Sequence, residues 1–86
     1  MNSWELKFSQ KSIKQLNDLP KEVKERIFKK LQQTKENPLF YFERLKGRQD
    51  YKLRVGDHRI IADLNKIEKK IEVTKVGHRK NIYKNI

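Results

Sequence analysis

Three basic residues around a Gly-Asp dipeptide have the spacing to act together on a bound anion. Before the dipeptide, apolar and charged residues alternate along YKLRV, which is the period of a half-buried β-strand. Gly56-Asp57 then has glycine at the first central position, as a type II′ hairpin turn prefers. A hairpin on this turn brings Lys52, Arg54 and Arg59 onto one face. Because like charges placed opposite each other destabilise a sheet, this face is predicted to bind an anion, with a nucleic-acid phosphate as the strongest candidate.

The turn also fixes the register of the predicted hairpin. Counting outward from it pairs Val55 with His58, Arg54 with Arg59, Leu53 with Ile60, Lys52 with Ile61 and Tyr51 with Ala62. This register sorts most of the apolar side chains to the face opposite the three cations. We therefore expect that face to pack against the core.

Hydrophobic periodicity predicts the elements that position this hairpin. A first strand is expected from Trp4 to Phe8, Ser9 is a candidate cap for a first helix, and Pro20 is expected to open a second helix. The first helix has an apolar stripe of Ile13, Leu16 and Leu19, and the second has one of Val23, Ile27 and Leu31. Asn37-Pro38 is expected to end the second helix. Three further strands are predicted at 51–55, 58–64 and 70–76. Gly77 is expected to end the last strand, with one helical turn in the tail after it. The layout β-α-α-β-β-β predicts an α+β domain in which a helical hairpin covers one face of a mainly antiparallel sheet.

Length and charge limit the class of protein. The chain has 86 residues, enough for one domain, residues 1–86, with a small core. It carries 22 Lys and Arg against 11 Asp and Glu, a formal net charge of +11, so we expect a polyanionic partner. Residues 44–86 hold 13 of the basic and 5 of the acidic residues, and the site is therefore expected in the second half.

Several classes of site are excluded by the residue types present. The chain has no Cys, which removes disulfides, thiolate nucleophiles and Cys-type zinc sites. Its two histidines have no clear carboxylate partner at ligand spacing, and it has no glycine-rich phosphate loop, so neither a metal nor a cofactor is expected. The longest apolar run, Leu39 to Phe42, is too short to span a bilayer, and the N-terminus lacks the apolar core of a signal peptide. We expect a cytoplasmic protein with no membrane association.

Two segments that follow the predicted helical hairpin have a combined pattern, LKGRQDYKLRVGDHRII and EVTKVGHRKNIY. They join a Lys-x-Arg strand and a Gly turn followed by Arg to a terminal Gly-x-Arg…Tyr. In this order and length they resemble the RelE/ParE superfamily of toxin–antitoxin toxins, and its RelE branch in particular, over nearly the whole chain. The resemblance implies a ribosome-dependent endoribonuclease that cuts mRNA in the ribosomal A site and so inhibits translation. It also implies a RelB-like, usually acidic antitoxin that wraps the toxin in a hetero-oligomer and represses their shared operon.

The resemblance assigns roles to five residues. By position, Lys52 and Arg54 match the basic pair on the second strand of the family, Arg59 the arginine after the turn, Arg79 the C-terminal arginine, and Tyr83 the terminal tyrosine. RNA cleavage by its own 2′-hydroxyl needs a base, stabilisation of the phosphorane, and an acid for the 5′-oxygen. Arg59 and Arg79 suit the phosphate oxygens, because a guanidinium binds them bidentately. Tyr83 suits stacking on a base or orienting the 2′-hydroxyl.

The general base is the open assignment. Arginine stays protonated in proteins, and Lys52 could accept a proton only if neighbouring cations favoured its neutral form. The chain has Lys-x-Arg where relatives carry two lysines. Arg79 could stabilise the leaving group or act as the acid, and His78, which titrates nearer neutrality, is an alternative acid.

Other basic and aromatic residues are candidates for RNA contact. Arg44, Lys46, Arg48 and Lys80 are predicted to contact mRNA or ribosomal RNA, although the loop cations could simply keep their loop in water. The aromatic residues Phe40, Tyr41 and Phe42 could stack on bases. Because such a cluster more often fixes a loop to the core, we expect these residues to pack against the core. Lys29 and Lys30 are interpreted as part of a solvated helix face, and His58 as a structural turn residue.

Two other functions remain open on the sequence. One is a non-catalytic basic module that binds RNA or the ribosome, which would lose affinity steeply with salt and give no cleavage product. The other is a ParE-like toxin that acts on a gyrase-type target without cutting RNA. The Lys-x-Arg strand and the terminal Tyr83 favour the endoribonuclease over this second function.

Overall fold

The computed structural model describes residues 3–82, and within that range the six predicted elements occur in the predicted order, with α3 and β2 in addition. In chain order the elements are β1 (Glu5–Phe8), α1 (Gln10–Asn17), α2 (Lys21–Thr34), α3 (Pro38–Tyr41), β2 (Glu43–Arg44), β3 (Tyr51–Val55), β4 (His58–Asn65) and β5 (Lys70–His78). The strands form one five-stranded sheet in the order β1-β5-β4-β3-β2. β1 runs parallel to β5, and the other three neighbouring pairs are antiparallel. The predicted α+β class with a mainly antiparallel sheet is confirmed.

The core lies between the helices and one face of the sheet. Ile27 and Leu31 of α2 are completely buried and share one hydrophobic cluster with Leu53 of β3, Ile60 of β4 and Val73 of β5. Side chains alternate along each strand, so the neighbours of these residues point to the other face. None of the helices between residues 3 and 82 is long and apolar enough to cross a membrane.

The N-terminus of α1 is built by two serines. Ser9 is the N-cap, and its side chain accepts a hydrogen bond of 3.1 Å from the Ser12 backbone N–H, as predicted. The Ser12 hydroxyl, which is completely buried, lies 3.0 Å from the Val73 carbonyl and joins the helix to β5. Pro20 was predicted to be the first residue of α2, but it is the N-cap, with an extended ψ of 149°, and the helix begins one residue later at Lys21. Leu19 lies beyond the end of α1 but still packs against the core.

The β3–β4 hairpin has the predicted register at every pair. Arg54 lies opposite Arg59 and Lys52 opposite Ile61, and the remaining three pairs also agree. Gly56 has φ of 60°, the left-handed value that the first central position of a type II′ turn requires. The local turn chemistry was therefore sufficient to fix this part of the sheet.

Two predictions about the ends of elements were wrong. Gly77 does not end the last strand, because it pairs with Arg59 and the strand continues to His78. The segment 37–50 is not only a loop, since it contains α3 and the two-residue β2. In the tail, the Asn81 N–H donates to the His78 carbonyl at 2.9 Å, which begins a turn at the predicted place.

A β-bulge in β5 changes which residues face the core. Ile61 pairs with Lys75 and Ala62 with Val73, so Thr74 is an extra residue, and its hydroxyl lies 3.2 Å from the Ile61 carbonyl. Val73 and Val76 are consequently both buried although they are three residues apart. The bulge lets β5 stay in register with β4 up to the hairpin turn.

Candidate functional site

The three predicted cations lie together on the side of the sheet opposite the helices, which we call the outer face. Arg54 of β3 is paired with Arg59 of β4, and Arg59 is paired in turn with Gly77 of β5. Lys52 lies two residues before Arg54 and therefore on the same face. The hairpin and the last strand thus bring these side chains to one end of the sheet, next to the Gly56 turn.

Arg59 is held by the turn that precedes it. Its side chain is largely buried, with 8% of the residue exposed, and its Nη1 donates to the carbonyls of Gly56 at 3.1 Å and His58 at 3.0 Å. A guanidinium has five N–H donors, and these contacts use only one of its three nitrogens. The partners are neutral carbonyls, so Arg59 keeps its full charge. The turn therefore orients a cation without neutralising it.

Lys52 has a different partner. Its Nζ lies 3.8 Å from a carboxylate oxygen of Glu43, which stands directly opposite it on β2. The hypothesis that Lys52 acts as a base required neighbouring cations, but the charged group that contacts its Nζ is the carboxylate of Glu43. The role of Lys52 as a base stays a prediction.

The C-terminal tail is fastened to the same turn. The Arg79 backbone N–H donates to the Asp57 carbonyl at 2.8 Å, so the exposed Arg79 begins beside the hairpin that carries Arg54 and Arg59. Ile82 is buried over Gly77, where an added Cβ would lie 3.2 Å from its Cδ1. The tyrosine predicted to complete the site, Tyr83, lies outside the described residues.

His78 lies on the other side of the sheet from these cations. It pairs with His58, and the two rings are in edge contact with their centroids 5.5 Å apart on the helix-facing side. Its Nδ1 accepts a hydrogen bond of 3.2 Å from the Lys80 N–H. Burial lowers the pKa of His58, and the charges of His78 and Arg26 lower it further, against an opposing effect of Asp57. The geometry thus separates His78 from the outer-face cations.

The opposite end of the outer face carries a pair of carboxylates. Asp63 of β4 pairs with Glu72 of β5, near the β4–β5 turn. Burial raises the pKa of Asp63, and the neighbouring charges of Asp50 and Glu72 raise it further, with Arg48 opposing. Lys7 of β1 lies opposite Glu72, so this end of the face holds both carboxylates and cations, whereas the end with the hairpin turn has Arg54 opposite Arg59.

The predicted loop cations are tied into their own loop. Arg48 makes two hydrogen bonds of 2.8 Å to the carboxylate of Asp50, and Arg44 Nε donates to the Arg48 carbonyl at 3.1 Å. The hydrogen bonds from Arg48 lower the pKa of Asp50. Lys46 is exposed between them, and Lys80 is exposed in the tail. The side-chain hydrogen bonds of Arg44 and Arg48 thus stay within the loop and do not link it to the outer-face cations.

The aromatic prediction is confirmed for two of the three residues. Phe42 is buried and Tyr41 packs against the core, but Phe40 has 75% of its surface exposed. Its position at the third residue of the short α3 turns it away from the core while its neighbours pack inward. Phe40 is thus available for contact with a partner, contrary to the prediction that all three aromatic residues fix the loop to the core.

Sequence reasoning also missed a basic groove beside the hairpin. Arg26, Lys29 and Lys30 of α2 line it together with Arg54 of β3. The two lysines were interpreted as a solvated helix face. Their spacing from Arg26 places all three on one side of the helix, but only the packing of α2 beside the β3 edge turns that side into a groove.

Comparison with known proteins gives one family and several structures. The family model of the ParE toxin of the type II toxin–antitoxin system parDE matches residues 6–83. None of the curated protein sequences compared with this chain gives a match. The model covers most of the chain, including both segments of the motif.

Three solved structures illustrate the structural similarity. The toxin–antitoxin complex RelBE2 from Mycobacterium tuberculosis gives a TM-score of 0.81 at 16% identity, covering 90% of this chain and 99% of that one. The RelE–RelB complex from Pyrococcus horikoshii gives 0.78 at 24% identity, with coverage of 92% and 98%. The intact E. coli RelBE complex gives 0.76 at 26% identity, with coverage of 88% and 96%. The first two are less than 25% identical to this chain and therefore establish the fold alone. All three matches span nearly the full length of both chains.

Proposed function

The chain belongs to the RelE/ParE superfamily of toxins from toxin–antitoxin systems, and from that premise we propose that it is an endoribonuclease that cuts mRNA in the ribosomal A site. The supporting observation is the convergence of cations at the hairpin end of the outer face. Arg54 and Arg59 are paired there, and Arg79 is fastened to the same turn. Such an arrangement suits one phosphodiester held between guanidinium groups.

The proposed reaction is transfer of the phosphate to the neighbouring 2′-oxygen. The 2′-hydroxyl loses its proton and its oxygen bonds to phosphorus, while the bond from phosphorus to the 5′-oxygen breaks and that oxygen gains a proton. Arg59, held in a fixed orientation by two carbonyls, stabilises the negative charge on the non-bridging oxygens. Arg54 and Arg79, both exposed, complete the clamp and stabilise the leaving oxygen. Lys52 is the proposed group near the 2′-hydroxyl.

Two further assignments belong to this proposal. Tyr83 stacks on a base or orients the 2′-hydroxyl, as the family motif implies. His78 is the less favoured acid, because its ring lies on the helix-facing side against His58 and its Nδ1 accepts from the Lys80 N–H. Arg79, in contrast, begins on the side of the turn where the clamp lies.

The proposed partners are an antitoxin, the ribosome and mRNA. Two of the similar structures are complexes of a RelE toxin with a RelB antitoxin. A net charge of +11 suits both an acidic RelB-like antitoxin and an RNA surface. We place the action of the toxin in the cytoplasm, where its ribosomal target is found.

The decisive experiment maps RNA ends on ribosomes that hold a defined mRNA in the decoding site. Cuts within the A-site codon are expected with the unaltered protein. Arg79→Ala is expected to reduce the cleavage rate about 100-fold or more, as loss of a phosphate-stabilising donor does, without lowering stability. Lys66→Ala, an exposed lysine in the β4–β5 turn, is the matched control and should cut normally. Intact mRNA at stoichiometric protein would rule out the endoribonuclease.

A second candidate is a toxin that acts on a gyrase-type topoisomerase. It is favoured by one observation, that the matching family model describes a ParE toxin. In that case the protein would inhibit DNA supercoiling by the topoisomerase and would leave mRNA on ribosomes intact. Ribosome binding without cleavage and without this inhibition would indicate instead a non-catalytic RNA-binding module.

A further inference from the structure

One side of α2 carries a basic stripe that the proposed reaction does not use. Arg26, Lys29, Lys30 and Gln33 are spaced as i, i+3, i+4 and i+7, which places them on one face of a helix. The face of α2 beside this stripe packs into the core, where Ile27 is completely buried. The orientation of the stripe is therefore determined by core packing and not by the charges themselves.

The stripe faces the edge of β3 across a cleft, which we call the α2 cleft. It has a volume of about 300 Å³ and is lined mainly by Arg26, Lys29, Lys30, Gln33, Arg54 and Gly56. β2 pairs only with Tyr51 and Lys52, so it does not cover the edge of β3 after Lys52. At the mouth, Arg26 Nη1 lies 3.6 Å from the place that a Cβ on Gly56 would take. The cleft thus begins at the turn that organises the outer face.

The cations of the α2 cleft have no carboxylate partner in the described part of the chain, unlike four basic residues elsewhere. Lys7, Arg48, Lys52 and Lys70 each form an ion pair with a carboxylate. Within residues 3–82, no carboxylate lies within ion-pair distance of the four cations that line the cleft. Lys30 instead lies 5.1 Å from the centre of the Tyr41 ring. Four unpaired positive charges around one cleft repel each other, and a bound anion would relieve that repulsion.

The chemistry of the lining decides which polyanion fits. A docked peptide needs apolar pockets for its anchoring side chains, but the apolar residue of this cleft, Val55, is itself buried in the core. A phosphate backbone needs only donors, which Arg, Lys and Gln supply. Beyond Lys30, the exposed ring of Phe40 stands 5.1 Å from Tyr41 and offers a surface on which a base can stack.

We propose that the α2 cleft is a second RNA site, which binds the sugar-phosphate backbone of a single-stranded segment next to the outer face. Arg54 lines the cleft and also belongs to the outer-face group. One RNA strand could therefore pass around the β3 edge and contact both surfaces. This inference deepens the proposed function, since it takes RNA as the ligand of the toxin.

The test compares two triple variants with equal loss of charge. The cleft variant combines Arg26→Gln, Lys29→Gln and Lys30→Gln; Arg54 is left unchanged because it belongs to the outer face. The control combines Lys11→Gln, Lys14→Gln and Lys21→Gln, three exposed lysines outside the cleft. The probe is a short fluorescent single-stranded 2′-O-methyl RNA, which lacks the attacking hydroxyl, so that affinity is measured without cleavage. Thermal unfolding of both variants checks that they fold.

The cleft variant is expected to lose affinity about tenfold or more and to reduce the slope of log K against log salt by about 2, as the loss of three phosphate contacts predicts. The control should retain both the affinity and the slope. Equal losses in the two variants would overturn the proposal, because net charge alone would then explain binding. Unchanged RNA affinity in the cleft variant, with reduced affinity for poly-glutamate, would overturn it in favour of an acidic protein partner. Because the probe reports binding only, this result is independent of whether mRNA on ribosomes is cut.

Discussion

Two basic regions of this protein hold their arginines in opposite ways. At the hairpin turn, three successive carbonyls accept hydrogen bonds from arginine residues: Gly56 and His58 from the Arg59 side chain, and Asp57 from the Arg79 backbone. In the loop before β3, Arg48 is instead bound by the carboxylate of Asp50. Neutral acceptors orient a cation and leave its charge available, whereas a carboxylate partner neutralises it. Contact with a phosphate should therefore depend on the first region much more than on the second.

Among the changes that compare these two regions, Arg59→Lys is expected to have the largest effect. Lysine keeps the charge but cannot reproduce a planar guanidinium held by two carbonyls. We expect cleavage to fall about 100-fold and the free energy of unfolding to fall by about 1–3 kcal/mol from the lost hydrogen bonds. Single-turnover cleavage on ribosomes and thermal unfolding measure the two effects.

Arg54→Lys is the matched comparison for that variant. Arg54 lies on the same face, but it is exposed, so the same exchange should reduce cleavage by less than about tenfold and leave stability nearly unchanged. Equal losses of cleavage in the two variants would contradict the view that the turn carbonyls pre-orient the essential arginine.

Gly77→Ala is expected to have the next effect, through the tail. The added Cβ would lie 3.2 Å from Ile82 Cδ1, closer than side chains normally approach, so the tail must shift away from the sheet. We expect cleavage to fall about tenfold, since misplacement of a binding group by a fraction of an ångström has effects of this order. The measurement is again single-turnover cleavage.

A second change in the same chain checks this explanation. Adding Ile82→Val to Gly77→Ala removes Cδ1, the atom nearest the new methyl group, and should restore most of the cleavage rate. A double variant as slow as Gly77→Ala would mean that the glycine acts through the backbone and not through the position of the tail.

The parts of the fold that the sequence predicted correctly are those with local causes. The hairpin register follows from Gly56 and the alternation beside it, and the cap of α1 follows from Ser9. The errors arise where distant segments meet. Gly77 continues β5 because Arg59 pairs with it, and the bulge at Thr74 depends on the register with β4.

The candidate site divides in the same way. Periodicity placed the outer-face cations on one side of the sheet, because that requires only one turn and a period of two. The burial of Arg59 and the position of Phe40 require knowledge of packing between elements. The α2 cleft requires the same knowledge, since its two walls are a helix and a strand edge about twenty residues apart in the chain.

Arg48→Ala tests the second region and should have a small effect. The Arg48–Asp50 pair is partly exposed, so we expect only a small loss in the free energy of unfolding at neutral pH. Cleavage should fall no more than about threefold, because Arg48 is already neutralised by its partner. A loss as large as that of Arg59→Lys would break the contrast between the two regions.

The same pair predicts a pH dependence. Because Arg48 lowers the pKa of Asp50, the pair contributes stability above the pKa of the unfolded carboxyl, near 3.8, and this contribution is lost as the pH falls through the lower folded value. The difference in unfolding free energy between Arg48→Ala and the unaltered protein should therefore disappear in acid. Asp50→Asn is the control, since it removes the titrating group and should make the effect of Arg48→Ala nearly independent of pH.

The smallest expected effect is the contribution of His58 to the pH dependence of stability. It falls in a pH range different from that of the Arg48–Asp50 pair. Burial, His78 and Arg26 lower its pKa in the folded protein, so the unfolded chain binds the proton more readily. Stability is then complete above the ordinary pKa of 6.5 and decreases as the pH falls below it towards the lower folded value. In His58→Gln, stability between pH 7 and pH 5 should change less with pH than in the unaltered protein, as measured by denaturant unfolding. An unchanged pH dependence in this variant would mean that the paired histidines beside the turn are not the source of the response. A flattened pH dependence would show that the hairpin region loses stability near neutral pH, above the acidic range in which the Arg48–Asp50 pair titrates.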